Sequence, residues 1–206
     1  MHPQECASLS PLQAGAFFLK PLHLNDLSAL SSALQDTAPD DGAFFWGLGD
    51  RRISGMDWMD WRLRQMQQHG ACVVALRNGL GQIVGEVAVL PCGRSEAQAS
   101  FWIRRSCCGQ HWARSALAPV CAWAFSAWRL SAIVFLIDPR NTASLRVVAH
   151  LGAMRSTSEG ALHDAENAGE PGLLAYRLTP EVLGAHASPY AQSEGVLHSL
   201  LALSLQ

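Results

Sequence analysis

Ser144, Glu86 and the adjacent thiols of Cys107 and Cys108, followed by His111, are the side chains whose types and spacing could do chemistry. The thiols sit in "IRRSCCGQHWARSAL", Ile103 to Leu117, where an apolar extended run ends, a Gly-containing corner follows and an Ala-rich helical pattern begins. The first amides of a helix have no intrahelical partner and its dipole favours an anion, so such a corner suits a phosphate. As metal chemistry, the Cys107-Cys108-x-x-His111 cluster is incomplete. A zinc site needs four ligands at paired spacing and no second half occurs, so no metal is expected. A thiol at a helix N-terminus has a lowered pKa and is open to oxidation, although a packed or solvent-facing thiol is the plainer reading.

The elements that must position these groups follow from hydrophobic period and punctuation. "FFLKPL" reads as a strand and leads into a helix capped by Asn25 or Asp26, with Leu27, Leu30 and Leu34 on one face. The Gly- and Asp-rich "TAPDDGAFFWGLGDRRISG" reads as a loop, its aromatics Phe44, Phe45 and Trp46 covering something. "MDWMDWRLRQMQQHG" reads as a helix ended by Gly70, with Trp58, Trp61 and Met66 packed as core. "ACVVALRNGLGQIVGEVAVLP" is two strands joined at Asn78-Gly79, and "AQASFWIRR" is a third, making an antiparallel meander. The helix after the corner reaches about Trp128, with Pro119 inside it predicting a kink. "SAIVFLID" is a continuous apolar strand, parallel to its predecessor because a helix joins them. Asn141 or Thr142 caps the next helix, Gly152 ends it, and "GLLAYRL" is a closing strand. Residues 1–180 are expected to form one domain, and 181–206 a helical extension whose apolar tail packs on the body or on a second copy in a homodimer.

Composition narrows the class. With 206 residues the chain suits a single domain carrying a substantial core. Charged residues make up 16%, hydrophobic residues 49%, and the net charge is −2, which argues against disorder and against nucleic acid as a ligand. The six cysteines show no paired framework, so a reducing, cytoplasmic setting is expected. No stretch approaches the ~18 apolar residues that span a bilayer, so no membrane partner is expected.

"VGEVAVL", "FWI", "CGQHWARSAL", "AWAF", "IDPRNTASLRVVAHLGA" and "AYRL", in that order of elements, together resemble the GNAT superfamily of N-acetyltransferases, closest to its ribosomal-protein N-terminal acetyltransferase branch. The resemblance runs from about Phe17 to Leu178. Its most specific piece is Asp138 to Ala153, where Asn141, Ser144, Leu151 and Gly152 keep the family's spacing. It implies an α+β fold in αβα layers: a mixed, mostly antiparallel central sheet whose fourth and fifth strands form a parallel pair, flanked by helices. In the family's cofactor corner Cys108 takes the Gln/Arg place, His111 the central Gly place and Ala113 the final small place, with Gly109 matching an additional Gly. The family's backbone there, laid on Cys108, Gly109, Gln110, His111, Trp112 and Ala113, implies a hold on the pyrophosphate of acetyl-CoA. Trp102, Ile103 and Arg104 are implied to offer a strand edge to the pantetheine arm. Replacing the central Gly by His means that the corner shifts, the imidazole points away, or the site has degraded.

The same resemblance implies acyl transfer from acetyl-CoA to a primary amine by direct attack in a ternary complex. Ser144 is the expected proton donor to the leaving thiolate, Asn141 orients the pantetheine or caps the helix, and Glu86 is the candidate base toward the amine. Glu86 lies among apolar residues that depress its solvation, yet a strand alternates faces and could turn it to solvent; His163 and Asp164 are weaker candidates. The acceptor, a peptide N-terminus or a small amine, falls to segments 44–59 and 164–172. The alternative is a catalytically weakened module that keeps the fold and binds acyl-CoA or a protein.

Overall fold

In a computed structural model of the chain, residues 12–14, 17–36, 54–156 and 172–187 are described. Eight strands form one sheet: β1 (Leu12–Ala14), β2 (Phe17–Pro21), β3 (Cys72–Asn78), β4 (Ile83–Cys92), β5 (Glu96–Ile103), β6 (Ala132–Ile137), β7 (Met154–Arg155) and β8 (Leu174–Leu178). Their order is β1-β2-β3-β4-β5-β6-β8-β7, antiparallel throughout except for β5 and β6. The helices are α1 (Leu27–Gln35), α2 (Gly55–His69), α3 (Trp112–Trp128), α4 (Thr142–His150) and α5 (Pro180–Ala187). The expected mixed sheet is therefore present, and its parallel pair becomes β5/β6 once the short β1 is counted.

Local sequence explains the boundaries. Ser54 accepts a hydrogen bond from the Asp57 amide (3.1 Å) to start α2, and Gly70 at φ 68° ends it. The β3–β4 hairpin is anchored by the Asn78 side chain, whose Oδ1 accepts from the amides of Leu80 and Gln82, both at 3.0 Å. Pro119 is accommodated inside α3 without ending it.

The sheet separates two apolar layers. On one face α1 and α2 pack Leu30, Leu34, Trp58 and Met59 against Val73, Ala75, Ala88 and Trp102. On the other, α3, α4 and α5 pack Leu117, Cys121, Phe125, Val148 and Leu183 against Val74, Val87, Ile133 and Phe135. Strand alternation produces this division: Glu86, Ala88, Ser100 and Trp102 lie toward α2, and Val87, Val89, Ala99 and Phe101 toward α3. Cys92, Cys107, Cys108 and Cys121 form no disulfide, but Cys72 is disulfide-bonded, which corrects the expectation of unpaired cysteines at that position. Sequence spacing cannot reveal a pairing that depends on the approach of two distant Cα atoms. Among the described residues no helix is long and apolar enough to cross a membrane.

Candidate active site

The parallel strands part company. β5 and β6 stay in register only from Glu96/Ala132 to Gln98/Val134, so the rest of β5 and the end of β6 diverge and open a gap in the sheet. Hydrogen bonding at the two ends of β5 shows what faces this gap. Ser131 donates its amide to the Ser95 carbonyl (2.7 Å) on the β6 side, whereas Arg104 donates to the Val84 carbonyl (2.7 Å) on the β4 side. Main-chain groups alternate along a strand, so odd-numbered residues of β5 address β6 and even-numbered ones address β4. Beyond Gln98, Ala99, Phe101 and Ile103 therefore direct their amides and carbonyls into the gap.

The gap opens into a cleft of about 580 Å³ that reaches both layers: Trp58, Trp61 and Arg62 wall it on the α2 side, and the start of α3 together with α4 on the other. At the α3 end the chain runs through a 3₁₀ turn (Arg105–Cys107), then Gly109 at φ 80° and His111 at φ 60°. His111 is the N-cap of α3 rather than a residue of its first turn, and its side chain makes no capping hydrogen bond. Its carbonyl accepts from the Ser115 amide (3.1 Å), the first bond of the helix, so the turn from Trp112 to Arg114 presents its N–H ends toward the cleft. Across the cleft, Asn141 caps α4 by accepting from the Ser144 amide (3.0 Å), which places Ser144 on the cleft wall.

Of the residues expected at the site, Trp102, Ile103, Cys108, Gly109, His111, Trp112, Ala113, Asn141 and Ser144 line the cleft. Gln110 and Arg104 do not. Arg104 Nε bonds Asp36 Oδ2 (2.8 Å) and its carbonyl accepts from the Cys107 amide (2.8 Å), so both ends of Arg104 are engaged inside the corner. Trp102 contributes its side chain but, by the same alternation, turns its main chain toward β4. By this alternation the edge facing the gap is formed by Phe101 and Ile103; of the three residues expected there Ile103 faces the gap, Trp102 and Arg104 turn their amides toward β4, and Phe101 was not anticipated because the parity of β5 is set by its neighbours.

Glu86 is also absent from the wall. It is buried beneath α2, where its Oε2 accepts from Trp58 Nε1 (2.9 Å) and its Oε1 accepts from both Nε and Nη2 of Arg62, each at 2.7 Å. Arg62, only 2% exposed, also donates to Gln65 Oε1 (2.7 Å) and Ser100 Oγ (3.2 Å). Its guanidinium lies over the rings of Trp58 (4.9 Å) and Trp61 (4.2 Å). Burial draws the Arg62 guanidinium below its ordinary pKa, with the Glu86 charge opposing. Sequence reasoning missed Arg62; the i, i+4 spacing from Trp58 on a helix otherwise facing the core was the available signal.

The cleft wall also carries Arg105, Arg114, Arg146 and His150, unnoticed in the sequence, against one carboxylate among the described residues, Asp138. Hydrogen bonds from the Arg140 side chain hold the Asp138 carboxyl below the usual carboxylate range. The wall is thus cationic and suited to phosphates. His163, Asp164 and the segments 37–53 and 157–171, including Phe44, Phe45 and Trp46, lie outside the described residues, as does the apolar tail after Tyr190.

Known proteins share this fold. Mycobacterium smegmatis RimJ in complex with CoA-disulfide superposes with a TM-score of 0.63 at 22% identity, covering 90% of this chain and 93% of that one. The ribosomal-protein-S5-alanine acetyltransferase of Vibrio fischeri matches with a TM-score of 0.65 at 14% identity, over 82% of this chain and 96% of its own. Salmonella typhimurium yncA, solved with its cofactor acetyl-CoA, gives 0.59 at 17% identity, covering 80% and 94%. These likenesses concern the fold. Since residues 17–154 also match the acetyltransferase (GNAT) domain, the chain belongs to that family of acetyl-CoA-dependent acyltransferases.

Proposed function

We propose that the protein transfers an acetyl group from acetyl-CoA to a primary amine, a peptide N-terminus or a small amine, by direct attack in a ternary complex. The observation that carries this reading is the divergence of β5 from β6 beyond Gln98 and Val134, which opens a through-sheet gap bordered by Ser144 and the α3 N-terminus. The residues present fit the cosubstrate. The amides of α3 and the cationic Arg105, Arg114 and Arg146 suit its phosphates, and the Phe101 and Ile103 main chain suits an extended amide-bearing arm. An acyl carbonyl placed in the gap would meet strand amides that polarise it. The neutral amine, entering from the α2 side, attacks the carbonyl carbon; the C–N bond forms, the C–S bond breaks, the thiolate takes a proton from the Ser144 hydroxyl, and the excess N–H proton passes through water to restore that hydroxyl.

Thiol release from acetyl-CoA, followed with a panel of amines and peptides, tests the reading. Acceptor-dependent release is expected. CoA binding without release from any acceptor would favour the weakened binding module, a reading encouraged by His111 in the place of the family's Gly.

A further inference from the structure

Glu86 and Arg62 are both almost wholly buried, yet only Arg62 reaches the cleft wall. Glu86 is engaged and enclosed: two donors from Arg62 and one from Trp58 meet its oxygens, it is 1% exposed, and it does not line the cleft an acceptor amine would enter. The charged group facing it from α2 is Arg62. Its cross-strand neighbours, Ala75 on β3 and Trp102 on β5, are uncharged, and α1 carries no charged residue between Leu27 and Gln35. For Glu86 to take a proton from substrate, it would lose the charge that compensates the buried Arg62 guanidinium, a costly exchange.

We infer that Glu86 is a positioning residue rather than the general base: through Arg62 it fixes the Trp58–Trp61 wall against which the acceptor is held, and the acceptor loses its ammonium proton to solvent before it attacks. This rests on the acyl-transfer reading above. The geometry of the unit supports it. Nη2 of Arg62 joins Glu86 on β4 to Ser100 on β5, Nη1 ties it to Gln65, and the guanidinium plane supports both indoles, while Trp58 meets Trp102 edge-on at 6.4 Å. The carboxylate therefore sets where three aromatic side chains on the acceptor side can lie. In the reaction the nitrogen lone pair of the neutral amine forms the C–N bond, and the electrons of the C–S bond leave with sulfur. One ammonium proton goes to water beforehand, and the remaining excess N–H proton passes through water after attack to restore the Ser144 hydroxyl that protonated the leaving thiolate.

The test is the pH dependence of kcat/KM for wild type, Glu86→Gln and the double variant Glu86→Leu/Arg62→Met, each with several amines of different basicity. The double variant removes the buried pair together, a replacement that buried ion pairs commonly tolerate, so it provides a folded probe if Glu86→Gln does not fold. If the inference holds, the acidic limb moves with the basicity of the amine and persists in both variants. Acceptor KM rises ~10-fold while the CoA dissociation constant is unchanged, the signature of lost acceptor positioning. An acidic limb at one pH for every amine, abolished when Glu86 is replaced, would overturn it and make Glu86 the base. An unchanged acceptor KM in both variants would overturn the positioning role. Wild-type protein that binds CoA and acetylates nothing would instead sink the acyl-transfer reading, a failure separable from the other two.

Discussion

At Ser144 the capped group and the proposed proton donor are different atoms: its amide is the donor that Asn141 caps, while the residue lines the cleft, where the proposed donor is its hydroxyl. A substitution can therefore separate chemistry from folding. Ser144→Ala keeps the capped amide and is expected to lower kcat by ~10²-fold with CoA affinity nearly unchanged, as loss of a general acid does. Asn141→Ala should instead cost ~1 kcal/mol of stability through the lost cap, measured by denaturant unfolding. Parallel losses of rate and stability in Ser144→Ala would return the residue to a structural role. His111 poses the opposite case, since its backbone conformation, φ 60°, favours glycine. A left-handed residue with a Cβ is strained by ~1 kcal/mol, part of which a glycine forfeits in the unfolded chain. His111→Gly is thus expected to raise the melting temperature by a few degrees or leave it level. It should also tighten CoA binding by letting the phosphate approach the α3 amides; weaker binding by calorimetry would show that the imidazole is itself a ligand. The sequence marked this position as unusual through the missing Gly, but whether the corner moved or the residue strained could only be seen in its dihedral angles.

The elements meet the cofactor corner through one carboxylate. Asp36 closes α1, and its Oδ2 accepts from Ser106 Oγ (2.6 Å) and Arg104 Nε (2.8 Å), so the end of α1 is tied to the 3₁₀ turn ahead of α3. Those bonds, that from Ser106 foremost, hold the Asp36 carboxyl below its ordinary value of 3.8. Its folded-state pKa being depressed, the tether contributes stability above the unfolded value and loses it as pH falls through the folded one. Asp36→Asn should therefore be less stable than wild type at neutral pH, the difference closing below about pH 4, with CoA bound several-fold more weakly because the corner loosens. A difference independent of pH would mean that the tether contributes nothing through its charge. The elements themselves were legible: Ser54, Gly70, Asn78, Asn141 and Gly152 each act through a local hydrogen bond or a local φ, and local rules identified four of these five boundaries from sequence. The contacts of Asp36 with residues almost seventy positions away were not.

For the whole molecule, the cleft borders both apolar layers and both sides of the β5/β6 gap, so a ligand that fills it braces the folded state. CoA is expected to raise the melting temperature progressively, by ~2.7 kcal/mol of added stability at 100 times its dissociation constant. No shift at millimolar CoA would contradict the binding site as described. By itself the sequence determined the order of strands and helices apart from the short β1 and β7, the parallel placement of "SAIVFLID", a cap at Asn141 or Thr142 and the family, because each is written in residues that are neighbours along the chain or in a motif of set spacing. The tertiary structure alone decided three things. It set the divergence of β5 from β6, the parity that turns Phe101 rather than Trp102 to the gap, and the burial of Glu86 against Arg62 and Trp58. The physical reason is common to all three. A strand's period of two states that faces alternate but not which partner each face meets, and that choice is made by residues brought together from separate elements once the sheet has assembled.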